Sequence, residues 1–182
     1  MSDPAAPAKR RLFFALWPTP ELQARLADIA RDLQRELGGK VTRTESIHLT
    51  LVFLGDVAAA RLDDVLAVGE RVRCDPFTLM FDTSGSWPHN HIAWVSPAST
   101  PPALTAMVSE LQAQVRALGF GIDDRPYAPH VTLVRKAGRA RRAVQLHTSV
   151  SWPVDHFVLV SSQLDAQGSR YSVIGRWPKP RD

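Results

Sequence analysis

Hydrophobic positions along the chain switch repeatedly between the short runs of a strand and the three-to-four spacing of a helix. The run RLFFALWP at 11–18 is aromatic and aliphatic and stops at Pro18, which predicts a buried strand. Thr19-Pro20 then reads as a helix start, with Thr as N-cap and Pro at the first helical position. Leu22, Leu26, Ile29, Leu33 and Leu37 keep one apolar stripe until Gly38-Gly39 ends it. A polar linker leads to a second strand, SIHLTLVFLG at 46–55, and a second helix from about Ala59 to Val72. Phe77–Asp82 and His91–Val95 read as strands joined by the turn-rich SGSWPHN. Pro101-Pro102 opens a helix ending at Gly119, with Leu104, Met107, Leu111, Val115 and Leu118 as its stripe. Strands are expected again at 129–136, Val154–Ser161 and Tyr171–Trp177. This mixture, without a long run of βα units, predicts an α+β fold with antiparallel sheets. Residues 1–10 are expected to be a disordered tail and residues 11–182 a single domain.

One pattern occurs twice. His48-Leu49-Thr50-Leu51-Val52 and His130-Val131-Thr132-Leu133-Val134 lie in apolar strand-like runs in opposite halves of the chain. Side chains at i and i+2 of a strand share a face. His48 and Thr50 therefore share one face and Leu49, Leu51 and Phe53 the other; His130 and Thr132 are set against Val131 and Leu133 in the same way. If an approximate two-fold relates the halves, both imidazole-plus-hydroxyl faces line one cleft.

Two imidazoles can divide phosphoester hydrolysis between them. A neutral one takes a proton from the attacking water, and a protonated one gives a proton to the leaving oxygen. Two threonine hydroxyls can hold the phosphoryl oxygens, and Arg135 at the strand end can add charge. A strained cyclic diester suits such a site without a metal. The carboxylate pairs Asp63-Asp64 and Asp123-Asp124 read as solvated surface. His89 and His91 read as a turn entering a strand, too few ligands for zinc. His147 and His156 read as isolated.

Composition narrows the partner. The chain has 182 residues, 45% hydrophobic, with a formal charge of +4. Its pI of about 9.7 suits an anionic partner such as nucleic acid. Its single cysteine, Cys74, excludes an internal disulfide and a cysteine zinc cluster. With no secretory signal pattern and no membrane-length apolar run, a soluble cytoplasmic protein is expected. Arg43 and the run Arg139, Arg141, Arg142 read either as contacts to an RNA backbone or as solvated loops.

With these residues in place, the chain resembles the RNA 2′,3′-cyclic phosphodiesterases of the 2H phosphoesterase superfamily, also called bacterial 2′-5′ RNA ligases. The resemblance begins at RLFFALWP, continues through SIHLTLVFLG and is strongest at RPYAPHVTLVRKA (125–137). It implies a bilobal fold, each lobe an antiparallel sheet with flanking helices, and an active cleft between two pseudo-two-fold-related lobes. It also implies hydrolysis of a terminal 2′,3′-cyclic phosphate to a 2′-phosphomonoester, with reversible 2′-5′ ligation when a 5′-hydroxyl replaces water. His130 would be the proton acceptor, His48 the proton donor, and Thr50, Thr132 and Arg135 the phosphate ligands. Phe14 would stack on the nucleobase. The protein is expected to be a monomer that needs no cofactor or metal and acts on RNA ending in a cyclic phosphate. Two other readings stay open: a related phosphodiesterase acting on a small cyclic nucleotide, and an RNA-binding module without turnover.

Overall fold

The computed structural model describes residues 9–165 and 168–179. Its elements run β1 (Lys9–Leu16), α1 (Pro20–Leu37), β2 (Lys40–Val41), β3 (Leu49–Ala58), α2 (Leu62–Arg71), β4 (Phe77–Trp87), β5 (Ile92–Ser96), α3 (Pro102–Ala117), β6 (Val131–Arg135), β7 (Val144–Val154), β8 (Phe157–Asp165) and β9 (Gly168–Trp177). All strand pairings are antiparallel, as the alternation of periods predicts.

The sheet order is β7-β4-β5-β6-β3-β1-β8-β9, with β2 paired to β6 outside this row. Two four-stranded halves therefore meet at the strands that carry the repeated pattern. They meet through one residue pair, Leu49 with Val131, the middle residues of the two HxT triplets. Past that pair the strands part. The free edge of β6 is taken over by β2, where Lys40 pairs Arg135 and Val41 pairs Val134. The bilobal expectation thus takes the form of one sheet split along its midline.

One pairing is too little to join two lobes, and helix packing supplies the rest. α1 lies against β6 and α3 against β3, so each helix backs the other half's central strand. A single core runs behind both halves, from Leu12, Phe14, Leu26 and Leu33 through Leu49 and Val131 to Leu111 and Phe157. Burial of this apolar face is the main stabilising term. The helices follow their local signals: the Thr19 hydroxyl accepts from Leu22 N–H, Pro20 opens α1, and Gly38 closes it at φ 72°. Gly39, at φ 88°, is where β2 turns back so tightly that a Cβ would lie 2.5 Å from the Arg135 carbonyl oxygen.

Several expectations are corrected. Lys9 and Arg10 begin β1 rather than belonging to a tail; residues 1–8 lie outside the described residues. The linker after α1 contains the short strand β2. The stretch 144–154, not expected as a strand, forms β7, whose first half faces solvent and so lacks an apolar repeat. β4 extends to Trp87, past the expected end at Asp82.

Candidate active site

The face opposite the helices holds a cavity of about 650 Å³ along the split. His48, Thr50, His130, Thr132 and Arg135 all line it, so five residues singled out from sequence share one space. Pairing of Leu49 with Val131 places one triplet on each side of the pseudo-dyad, so both imidazoles flank the same floor.

A second symmetric feature shapes the walls. Opposite β1, the register of β3 skips Leu51, between Val52 and Thr50. Opposite β5, the register of β6 skips Leu133, between Val134 and Thr132. Each is a bulge one residue after the threonine, and each shifts the alternation by one. Val52 and Val134 therefore turn into the core, while Phe53 and Arg135 turn to the cleft. Strict alternation places Phe53 on the apolar back; the bulge reverses this, and the same device brings Arg135 to the cleft.

The histidines are held alike. His48 Nδ1 lies 2.7 Å from the Ser46 carbonyl, and His130 Nδ1 lies 2.8 Å from the Ala128 carbonyl. A carbonyl only accepts, so Nδ1–H donates in each case and Nε2 is the unprotonated nitrogen of the neutral ring. Burial lowers the His48 pKa to about 4; the Ser46 bond opposes this, and the charges of Arg135 and His130 add to it. His130 is also lowered by burial, with its Ala128 bond opposing and Arg135 adding. Both shifts favour the neutral form of the rings.

Their surroundings differ. Trp17 stacks on His48 with ring centroids 5.3 Å apart and planes 7° from parallel. Phe13 and Tyr171 complete the box at 5.0 and 5.3 Å. His130 meets one ring, the Trp87 edge at 4.5 Å. The Trp17 face attracts a cation, so the box supports a protonated His48 once an anion lies beside it.

Where the strands part, the carbonyls of both threonines would be left without a ladder partner. Tyr127 Oη donates to the Thr50 carbonyl at 3.1 Å, and Thr42 Oγ1 to the Thr132 carbonyl at 3.1 Å. The segment leading into each motif thus latches the other. Burial pushes the Tyr127 phenol far above its ordinary pKa, keeping it a donor.

Phe14 is corrected. Its side chain is fully buried, packed against Phe157 and Trp177 in the core, and cannot meet a nucleobase. The alternate residues of β1, Phe13 and Ala15, face the cleft side. Both sets are apolar, so the sequence carries no sign of which one faces in. Phe13 itself is 4% exposed beneath His48. Trp17, Tyr171, Tyr127 and Thr42 were not singled out either; Tyr171 sits on the last hairpin, far in sequence from His48.

Arg43 lines the cavity and donates to the Ser169 carbonyl, fixing the β8–β9 hairpin as a wall. Arg139 and Arg141 turn away to the end of α1, at the Glu36 carbonyl (3.2 Å) and carboxylate (2.5 Å). Asp64 pairs with Arg61, and Asp123 with Arg125. His91 lies 3.3 Å from the Ala137 carbonyl in the turn before β5. Among the described residues, no three His, Cys, Asp or Glu side chains come close enough to hold a metal ion. No described helix is long and apolar enough to cross a membrane.

A split antiparallel sheet with one HxT triplet from each half on a shared cleft defines a two-histidine phosphoesterase fold. The model of the LigT-like phosphoesterase family matches the chain twice, over residues 16–94 and 95–171, the first match holding the His48 triplet and the second the His130 triplet, and the chain belongs to that family. The RNA 2′,3′-cyclic phosphodiesterase of Escherichia coli is 29% identical over 97% of this chain and 98% of its own length. The enzyme of the same name from Thermus thermophilus is 32% identical, over 92% and 89%. The crystal structure of E. coli LigT complexed with 3′-AMP superposes with a TM-score of 0.86 at 28% identity, covering 93% of this chain and 98% of that one.

Proposed function

We propose that the protein hydrolyses RNA 2′,3′-cyclic phosphate ends to 2′-phosphomonoesters, with His130 as proton acceptor and His48 as proton donor. The observation that carries the reading is the Leu49–Val131 pairing, which sets the two HxT triplets across one cavity. Nearly full-length similarity to relatives named RNA 2′,3′-cyclic phosphodiesterase supports the substrate class.

The bound cyclic phosphate brings one negative charge between the rings. That charge offsets Arg135 and raises both imidazole pKa values, allowing His48 to carry a proton. Thr50, Thr132 and Arg135 hold the non-bridging oxygens. His130 Nε2 takes a proton from water as the water oxygen bonds to phosphorus. The P–O3′ bond breaks, and His48 Nε2 gives its proton to O3′. The product is a 2′-phosphomonoester with a free 3′-hydroxyl; His130 ends protonated and His48 neutral, and solvent exchange resets the pair. No step calls on a metal. With a 5′-hydroxyl of another strand in place of water, the same groups acting in the same direction would support 2′-5′ joining, the P–O5′ bond forming as the P–O3′ bond breaks.

The test is to incubate the protein with an oligonucleotide ending in a 2′,3′-cyclic phosphate, with and without EDTA, and to identify the product. A 2′-phosphate formed at equal rates in both is expected. A 3′-phosphate would reassign the leaving oxygen, loss of activity with EDTA would overturn the metal-independent mechanism, and no product would overturn the reading.

A further inference from the structure

The pseudo-two-fold is also broken in the cleft wall beyond the threonines. Arg135 stands three residues past Thr132 and is turned to the cleft by the bulge at Leu133. Its counterpart, three residues past Thr50 and turned by the bulge at Leu51, is Phe53. A phenyl ring at 45% exposure on a cavity wall is costly in water, whereas the other phenyl rings beside His48 and in the core are covered.

A guanidinium lies on it. Arg11 Cζ sits 5.0 Å from the Phe53 ring centroid. Arg11 is paired in register with Asp56 on β3 and Ser162 on β8, yet it forms no ion pair among the described residues. Its charge is thus left at the cavity mouth, beside the aromatic plate. Exposure rises along β1 from the floor outwards: Ala15 and Phe13 are buried and Arg11 is exposed. Lys40 and Arg43 add positive charge around the same opening.

We propose that Phe53 and Arg11 form a subsite for the second nucleotide of a single-stranded RNA, the one on the 5′ side of the nucleotide carrying the cyclic phosphate. This rests on the function proposed above and names the substrate class more narrowly: an oligonucleotide end rather than a cyclic mononucleotide. The cyclic phosphate and its own nucleoside occupy the floor among the histidines, threonines and Arg135. The preceding nucleotide, leaving through the mouth, lays its base on Phe53, and Arg11 meets the linking phosphodiester. Aromatic stacking is indifferent to base identity, because every base offers a π-face, and contributes about 1–3 kcal/mol per base. The guanidinium adds charge-assisted contact to phosphate. The two cleft walls then divide the work: Arg135 serves the reacting phosphate, and Phe53 with Arg11 serves the strand.

The experiment compares kcat/KM for a 2′,3′-cyclic mononucleotide and for a dinucleotide with the same 3′-terminal cyclic phosphate, in wild type, Phe53→Ala and Arg11→Gln. The wild type is expected to prefer the dinucleotide. Each substitution should reduce the dinucleotide-to-mononucleotide ratio by about tenfold, the equivalent of roughly 1.4 kcal/mol within the stacking range. Phe53→Leu, which keeps the apolar bulk without the π-face, should lose the preference as Phe53→Ala does. A wild type that turns over both substrates equally, or variants whose ratio stays at the wild-type value because both substrates fall together or neither falls, would overturn the subsite. A wild type that hydrolyses neither substrate would instead overturn the phosphodiesterase reading itself.

Discussion

The two HxT segments share a backbone and differ in what surrounds it. In both, histidine Nδ1 is fixed by the carbonyl two residues earlier, the threonine carbonyl is latched by the opposite half, and a bulge follows the threonine. Yet His48 lies in a box of Trp17, Phe13 and Tyr171, while His130 touches the edge of Trp87. Duplication supplies a matched pair of imidazoles, and hydrolysis needs an unmatched pair, one protonated and one neutral. The packing around each ring differs accordingly: burial disfavours a cation on His48 in the free protein, the parallel indole face partly offsets that once an anion lies beside the ring, and His130 has a single edge contact and a more open ring.

The comparison breaks most visibly if the rings are removed. His48→Ala and His130→Ala should each lower kcat for a cyclic-phosphate oligonucleotide by about 10²- to 10⁴-fold with unchanged thermal unfolding. A variant retaining near-wild-type turnover would remove that ring from the chemistry.

The pH dependence follows from the same asymmetry. Burial holds His48 at about 4 and His130 below its ordinary value in the free protein. Above both values the productive form, His48 protonated and His130 neutral, grows in proportion to proton concentration. kcat/KM should therefore rise by nearly tenfold per pH unit as pH falls from 8 towards 6.5. A profile flat across that range, with chemistry limiting, would contradict the assigned protonation states. Stability should move the other way. A folded pKa depressed below the unfolded one contributes stability that is complete above pH 6.5 and is lost as pH falls through 4.

Smaller effects sharpen the contrast between the boxes. Trp17→Leu should lower kcat about fivefold and displace the pH profile to lower pH, because the cation loses its π-face. Trp87→Leu should change kcat less and leave the pH profile in place. Equal effects of the two substitutions on kcat and on the profile would remove the division of roles. The latches come last. Tyr127→Phe and Thr42→Val each delete one hydrogen bond to a threonine carbonyl, costing about 1 kcal/mol of stability. Each should reduce kcat several-fold without moving the pH profile, and Thr42→Ser should restore activity. A shifted profile would mean that the latches act on the histidines instead of the threonines.

Much of this was legible in the sequence where residue type and spacing are tied to one physical requirement. Thr19-Pro20 and Gly38-Gly39 bounded α1 because caps have few acceptable residues. The duplicated HxTL drew attention to both histidines and threonines, which the fold places around one cavity. What alternation alone misread traces to the bulges, which no residue type announces: Phe53 was assigned to the core, and Arg135 reached the right face by a route that strict alternation would forbid. Phe14 was misplaced for a different reason. Leu12, Phe14, Leu16 and Phe13, Ala15 are two apolar sets on one strand buried on both sides, with Trp17 just past its end, so nothing in the pattern marks the cleft side. β7 escaped because its exposed half has no buried face to pattern. Tyr171 escaped because its partner, His48, is joined to it by topology alone.

The most direct measurement is a titration of the protein with inorganic phosphate, following both histidine rings by nitrogen-15 NMR. A single phosphate held between His48 and His130 should shift both rings along one binding curve, with one Kd and one equivalent, and should raise the His48 midpoint above its free value near 4. Shifts confined to one ring, or two curves with different Kd values, would show that the imidazoles do not flank the same phosphorus.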